Sequence, residues 1–223
     1  MQRSLREFLD RVEEKTKELE LSQPKTLIKP KYSLQEEQET VKKMVKIWNS
    51  SYNLKIDEFL DIVLSVLERR EEDYKKLISG MKKETLQIYN KLFSILLRYY
   101  TFDYNYGDIL GNFYMQTYSK GDNGEYYTPY NVAYFIAKVL EPEPKDKVID
   151  PCVGSGVMLL ATRHVIHEKY GWIESSKFGR NLYGMDISDN AVKMTKIQLY
   201  LTDYIYMSML LMETFWEMFK GKK

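Results

Sequence analysis

The sequence predicts an α/β protein in which an N-terminal helical domain precedes a small parallel sheet flanked by helices. In the first third of the chain, apolar residues recur every three or four positions, as they do on one face of a helix. Further along, short apolar segments at 147–150 and 181–186 lie on either side of a stretch with helical patterning. Strands joined through a helix are expected to run parallel, which predicts the sheet.

The composition is that of a globular protein without an extreme charge. Hydrophobic residues make up 44% of the 223 residues and charged residues 29%, which excludes a disordered chain. The formal net charge of +1 predicts no strong attraction of the whole chain to nucleic acid. The single cysteine, Cys152, suits a reducing compartment. With neither a signal peptide nor a long apolar span visible, we expect a cytoplasmic protein without a membrane partner.

Three stretches in the first half of the chain place their apolar side chains on one helical face each, at residues 36–48, 56–67 and 86–100. The charged run at 68–76 is expected to be a solvated helix surface, because it offers no apolar face of its own. These segments predict a helical N-terminal domain over residues 1–118.

The second domain is predicted to span residues 119–223. Closely spaced glycines, at positions 107, 111, 121 and 124, predict a loop-rich crossing into it. Pro142 and Pro144 end the first helix beyond the crossing, since proline cannot continue a helix. The predicted order is a helix at 132–140, a strand at 147–150, a helix at 156–170, a strand at 181–186 and helical structure from 188 onward.

A glycine-rich turn, D-P-C-V-G-S-G at Asp150–Gly156, follows the first strand and begins a helix. Its glycines let a ligand approach the backbone, and a helix N-terminus favours a carboxylate or phosphate. Asp186 ends the second strand, where nucleoside-binding α/β folds hold the ribose hydroxyls. Such a turn also forms for packing alone. Of these two interpretations, ligand binding is the favoured one.

Three ordered motifs connect the chain to a known family: Gly124–Pro129 (G-E-Y-Y-T-P), the Asp150–Gly156 turn, and Gly184–Ile187 (G-M-D-I). Their order and spacing resemble the modification subunits of type I restriction systems and related adenine-N6 DNA methyltransferases. Asp108–Tyr114 is also similar to the segment before the T-P motif in those subunits. The resemblance implies a truncated Rossmann-like S-adenosylmethionine-dependent methyltransferase domain after the helical one.

The resemblance implies S-adenosylmethionine as the cofactor and assigns its contacts. The T-P segment would lie over the methionine end, the glycine turn around the amino acid portion, Asp186 at the ribose and Ile187 beside the adenine ring. For the tyrosines before Thr128, packing between domains is the competing interpretation, because aromatic residues favour it. The implied cofactor-binding residues are Tyr127, Thr128, Pro129, Asp150, Pro151, Gly154, Ser155, Gly156, Asp186 and Ile187.

The sequence departs from the pattern of this family at one motif. Adenine-N6 methyltransferases carry an N-P-P-[FYW] motif whose Asn side chain and Pro carbonyl accept hydrogen bonds from the flipped adenine. The sequence contains no Pro-Pro pair, and its last proline is Pro151. We therefore assign no catalytic residue and expect the isolated chain to be inactive.

Two further groups of residues have features of functional sites. Cys152 follows a proline, as the nucleophile of cytosine-C5 methyltransferases does, but it lies inside the cofactor turn and is not expected to act so. His164 and His167 have the spacing of a zinc pair on a helix, yet no further ligand cluster accompanies them. An exposed or packed helix surface is the favoured interpretation, and no metal is expected.

The leading functional hypothesis is a protein that binds S-adenosylmethionine, resembles adenine-N6 DNA methyltransferases and lacks the catalytic motif. One alternative is the cofactor-binding part of a split methyltransferase that another chain completes. A second is a regulatory or interaction protein that has kept the fold without the ligand, and the least favoured is an active enzyme with an unrecognised catalytic motif. DNA is expected to be contacted through a complex.

Residues 204–219 are expected to form a helix that covers an open sheet edge or face, in this chain or in a partner. Ile205, Met209, Met212, Trp216 and Phe219 form one apolar stripe at helical spacing. Parallel sheets are normally covered on both faces, and the chain has few other elements that could cover this one. We therefore predict that the chain forms a homo-oligomer or binds a partner protein through residues 204–219.

Overall fold

A computed structural model describes residue 30 and residues 32–101, 105–118 and 128–203 of the chain. Three sequence-based predictions lie wholly or partly outside these residues: the loop at Gly121 and Gly124, the cofactor contact of Tyr127 and the covering helix at 204–219. None of the described helices is long and apolar enough to cross a membrane.

The described part of the N-terminal half is helical, and the three helices predicted from periodicity are confirmed with slightly different ends. The first begins one residue after Ser33, whose side chain accepts a hydrogen bond from the Glu36 N–H and so caps it. The charged run forms a short helix without buried residues, as predicted for a solvated surface. The helices are α1 (Leu34–Trp48), α2 (Ile56–Leu67), α3 (Glu71–Ile78), α4 (Lys83–Thr101) and α5 (Ile109–Thr117).

The predicted loop-rich crossing is wrong where α5 forms. Gly111 lies inside this helix, because the Asp108 side chain accepts a hydrogen bond from the Gly111 N–H and caps the helix start. The capping hydrogen bond provides a strong local start signal, and burial of Leu110 and Phe113 then stabilises the helix despite its glycine.

The C-terminal half contains two short strands, which pair in parallel as predicted. Their register places Ile149 beside Tyr183. A short helix between Gly171 and the second strand was not predicted, because seven residues are too few for a clear periodic pattern. The elements are α6 (Tyr130–Leu140), β1 (Val148–Asp150), α7 (Val157–Tyr170), α8 (Trp172–Phe178), a 3-10 turn (Gly179–Asn181), β2 (Leu182–Gly184) and α9 (Asp189–Asp203).

Two hydrophobic cores hold these elements together. The larger is built from α1, α2, α4 and α5, and α9 adds Met194, Ile197 and Leu201 to it. The smaller lies between α6 and α7, with Tyr106 and Tyr130 in its centre. Since α9 follows β2 directly, its packing against the helical half fixes where the end of β2 lies.

Candidate functional site

The glycine turn and the end of β2 form one edge of the small sheet. The Met185 N–H donates to the Asp150 carbonyl at 2.9 Å, and the Val153 N–H donates to the Met185 carbonyl at 2.8 Å. These two bonds continue the pairing of β1 and β2 beyond the strands. The loops that carry the two motifs are therefore held side by side at the carboxyl ends of parallel strands, where α/β folds bind ligands.

Glycine is required in this turn for conformational reasons. Gly154 and Gly156 have φ angles of 54° and 93°, in the region that other residues adopt with strain. A Cβ on Gly156 would stand 2.9 Å from the Thr195 side chain on α9. The Thr195 hydroxyl in turn donates to the Gly154 carbonyl at 2.9 Å. The glycines thus let the turn fold tightly over α9, while Gly154 stays partly exposed.

Asp186 joins the two motifs directly. Its Oδ2 accepts a hydrogen bond from the Gly154 N–H at 2.9 Å, and its Oδ1 accepts one from the Ser188 N–H at 2.8 Å. A carboxylate offers about four acceptor positions, so about two remain for hydroxyl groups of a ligand. Asp150 plays a local role, because its Oδ1 accepts from the Cys152 N–H at 3.0 Å and shapes the start of the turn.

The other predicted contacts differ in their exposure. Ile187 is fully exposed beside Asp186, and its side chain is free to cover a flat ring. Pro151 is exposed on the turn, and Thr128 and Pro129 are exposed immediately before α6. Hydrogen bonds join the glycine turn to Asp186, whereas no hydrogen bond described in the structure connects Thr128 or Pro129 to them.

Ser155 points the opposite way, into the protein. Its hydroxyl is buried and donates to Asp108 Oδ2 at 2.6 Å, so its side chain faces away from the open side of the turn. Burial raises the pKa of Asp108, while hydrogen bonds from Ser155, Gln198 and the Gly111 N–H lower it in opposition. Sequence reasoning missed Asp108 and Gln198 as partners of the turn. Asp108 had two signals, a cap position before a helix and the family resemblance of Asp108–Tyr114, and Gln198 had none.

His164 and His167 are packed inside the smaller core. The ring of His164 stacks on Tyr106 with centroids 4.7 Å apart, and its Nδ1 lies 2.8 Å from the Tyr130 hydroxyl. Burial lowers the pKa of His164 to about 4, because it disfavours the charged ring. The Nδ1 of His167 lies 3.0 Å from the Tyr106 hydroxyl. Across the described ranges, no group of three or more His, Cys, Asp or Glu side chains is placed to hold a metal ion.

Helices around a small parallel sheet, with a glycine turn and an acidic residue at neighbouring strand ends, are consistent with an α/β methyltransferase-like fold. A sequence model of the N-6 DNA methylase family matches residues 102–216, which is more than half of the chain. The chain therefore belongs to the N-6 DNA methylase family. The predicted resemblance to type I modification subunits is likewise confirmed by the relatives below.

Two curated relatives come from Methanocaldococcus jannaschii. The type I restriction enzyme MjaVII methylase subunit is 30% identical over 157 residues, which cover 70% of this chain and 25% of that protein. The MjaVIII methylase subunit is 27% identical over 168 residues, covering 69% of this chain and 29% of that protein. The chain thus matches between a quarter and a third of its relatives' length. No solved structure matches it.

Proposed function

We propose that this chain binds S-adenosylmethionine at the carboxyl edge of β1 and β2, as the cofactor-binding part of a Rossmann-like adenine-N6 DNA methyltransferase domain. The hydrogen bond from the Gly154 N–H to Asp186 carries the proposal. It links the two motifs whose separate roles are to meet the amino acid portion and the ribose of this cofactor. The cofactor supplies the methyl group.

The residues present fit that cofactor. Gly154 is partly exposed, and α7 begins directly after Gly156 with N–H groups that attract a carboxylate. Asp186 keeps acceptor capacity for two hydroxyl groups, and Ile187 offers an apolar surface beside it. Thr128 and Pro129 would close the methionine end, together with Tyr127, which lies outside the described residues. The side chain of Ser155 is assigned no ligand contact, although its backbone belongs to the turn.

Calorimetric titration of the full chain with S-adenosylmethionine tests the proposal. We expect binding in the wild type and a loss of about 2–4 kcal/mol of affinity in Asp186→Ala, because a pair of charge-assisted hydrogen bonds is removed. Asp186→Asn keeps one acceptor and should lose less. Asp189→Ala is a control with the same charge change, since Asp189 pairs with Lys193 and not with the turn. Absence of binding to the wild type at millimolar cofactor would favour the alternative of a regulatory protein without the ligand.

We further propose that the chain alone transfers no methyl group to DNA. The transfer requires a flipped adenine held by N-P-P-[FYW], and the 223 residues contain no Pro-Pro pair. Purified protein should incorporate no labelled methyl group into adenine-containing DNA. Incorporation that Asp186→Ala abolishes would contradict this proposal and favour an unrecognised catalytic motif.

A second candidate function is the cofactor-binding part of a methyltransferase completed by another polypeptide. The exposed pair Ile149 and Tyr183 favours it, since these register partners are 62% and 45% exposed on one face of the sheet. Parallel sheets are normally covered on both faces. Addition of a polypeptide that carries N-P-P-[FYW] should then restore methylation. If the mixture stays inactive while the cofactor binds, the first proposal stands alone.

The relatives are named as subunits of restriction enzymes, and we propose that this chain also works in an assembly, through which DNA is contacted. Residues 204–219 are the proposed interface, and 119–223 the proposed second domain. Replacement of Met212 and Trp216 by Glu should lower the mass measured by light scattering. A wild type that is already monomeric would remove the interface part of this proposal.

A further inference from the structure

The inner side of the glycine turn is attached to the helical half by a buried polar network. Ser155 donates through Oγ to Asp108 Oδ2 at 2.6 Å, and its carbonyl accepts from Gln198 Nε2 at 2.8 Å. Asp108, Ser155 and Gln198 are all at most 2% exposed. Both the side chain and the main chain of Ser155 are therefore held, although Pro151 and Cys152 of the same turn are exposed.

Each member of the network has its polar atoms satisfied by defined partners. Asp108 Oδ1 accepts from Gln198 Nε2 at 2.9 Å and from the Gly111 N–H at 3.0 Å. Gln198 Oε1 accepts from the Leu110 N–H at 2.9 Å and from the Tyr100 hydroxyl at 2.5 Å. A fully satisfied buried network holds one geometry, because any displacement leaves a polar group unpaired at low dielectric.

The network continues into α1, the first helix of the described residues. Glu37 on α1 accepts from the Asp108 N–H at 2.7 Å and from the Asn112 amide at 3.0 Å, both through Oε1. Its Oε2 accepts from the Tyr32 hydroxyl at 2.7 Å. The loop that carries Asp108 is thus fixed from α1 on one side and bonded to the glycine turn on the other.

The close approach of α5 to the turn is a separate observation that points the same way. A Cβ on Gly111 would stand 2.5 Å from the Ser155 hydroxyl. Real Cβ atoms do not come that close to a neighbour, so only glycine allows α5 to contact the turn at this point. A glycine inside a helix costs stability relative to alanine, and here the space it leaves is used for the contact with Ser155.

We propose that Asp108 of the helical half and Gln198 of α9 are positioning residues for the cofactor turn, and that together they set the backbone geometry of Gly154–Gly156. The inference rests on the proposed binding of S-adenosylmethionine to this turn. It assigns the helical half a part in cofactor binding in addition to its part in folding. Thermodynamic linkage then requires the reverse effect, in which the bound cofactor stabilises the network and the start of α5.

The first test uses the ligand-free full chain and amide hydrogen exchange. In Asp108→Asn and in the milder Ser155→Ala, the Gly154 and Gly156 amides should exchange faster than in the wild type. Ser65→Ala is the matched control, because Ser65 is equally buried but its hydroxyl bonds only to the Ile62 carbonyl within α2. Unchanged exchange at Gly154 and Gly156 in both network variants would overturn the inference, whether or not the cofactor binds.

The second test titrates the same variants with S-adenosylmethionine. Asp108→Asn and Ser155→Ala should each weaken binding about tenfold, and the double variant should add little, because both remove one shared interaction. Ser65→Ala should lose stability and keep wild-type affinity. If the network affected binding only through overall stability, Ser65→Ala would weaken binding as well. No binding to the wild type rejects the proposed function and the cofactor part of this inference with it. Wild-type affinity in both network variants rejects this inference alone.

Discussion

At the level of single residues, Gly156 shows how backbone conformation and packing combine in the turn. Its φ of 93° disfavours any side chain, and Thr195 on α9 occupies the space that a Cβ would need. Thr195 cannot turn away without losing its hydrogen bond to the Gly154 carbonyl. Gly80 has a similar φ of 81° but nothing within 4 Å of the position of an added Cβ. A substitution at Gly80 therefore measures backbone strain without crowding.

We predict that Gly156→Ala destabilises the protein by about 2–4 kcal/mol, as backbone strain and overpacking add. Gly80→Ala should cost about 1–2 kcal/mol, from backbone strain alone. Urea unfolding of both variants measures the difference. Equal losses would show that Thr195 makes no contribution and that strain accounts for the whole effect.

His164 makes stability depend on pH. Burial lowers its folded-state pKa to about 4, whereas the unfolded chain titrates near 6.5. The stabilising contribution is therefore present above about pH 6.5 and is lost as pH falls toward 4, up to about 3 kcal/mol. The unfolding free energy of wild type should fall over this range more steeply than that of His164→Phe, which cannot titrate there. NMR titration of the His164 ring checks the assignment, and a ring that titrates near 6.5 would contradict it.

At the level of elements, ion pairs between helices differ from those within one helix. Lys193 on α9 is 16% exposed and pairs with Asp61 on α2 and with Asp189, both at 2.7 Å. Lys75 on α3 is 56% exposed and pairs only with acidic residues of its own helix. Solvent screens the second group strongly, so it contributes little.

We therefore predict that Lys193→Ala costs about 1 kcal/mol or more of unfolding free energy, and that Lys75→Ala costs much less. A double-mutant cycle of Lys193 with Asp61 isolates the pair between α9 and α2. A coupling energy near zero would mean that the lost stability comes from helix propensity or packing. High salt should reduce the Lys193 effect less than any effect at Lys75, because partial burial limits screening.

At the level of the whole molecule, the larger core crosses the predicted boundary at residue 118. Leu60 on α2 and Leu201 on α9 are both fully buried in it. Since α9 also contacts the glycine turn through Thr195 and Gln198, the helical half and the sheet share the same supporting helix. The division into 1–118 and 119–223 stays a prediction about domains, but both hydrophobic cores contain residues from each part.

We predict one cooperative unfolding transition by calorimetry. Leu60→Ala and Leu201→Ala should each lower the midpoint of that same transition, with losses of about 2–5 kcal/mol. Two resolved transitions, or a Leu201→Ala effect confined to one of them, would show that the halves unfold independently.

The local elements could be predicted from the sequence. Periodic apolar positions predicted α1, α2 and α4, because a helix that packs on a core must repeat its apolar residues at about 3.6-residue spacing. The short apolar runs predicted β1 and β2 and their parallel pairing. The family followed from three ordered motifs, which specify more than any single glycine turn. The helices α5 and α8 were missed, since nine and seven residues give too weak a pattern.

By itself, the sequence determined the family, the order of the main elements and the choice of the turn and Asp186 as candidate site residues. Local spacing and backbone chemistry decide these. Only the tertiary structure decided that Ser155 faces inward to Asp108 and that Gln198 joins them, since these contacts link residues 47 and 90 positions apart. Likewise, His164 is a buried neutral ring because α6 and Tyr106 cover it. Burial and long-range hydrogen bonds depend on which elements pack together, and no local pattern encodes that.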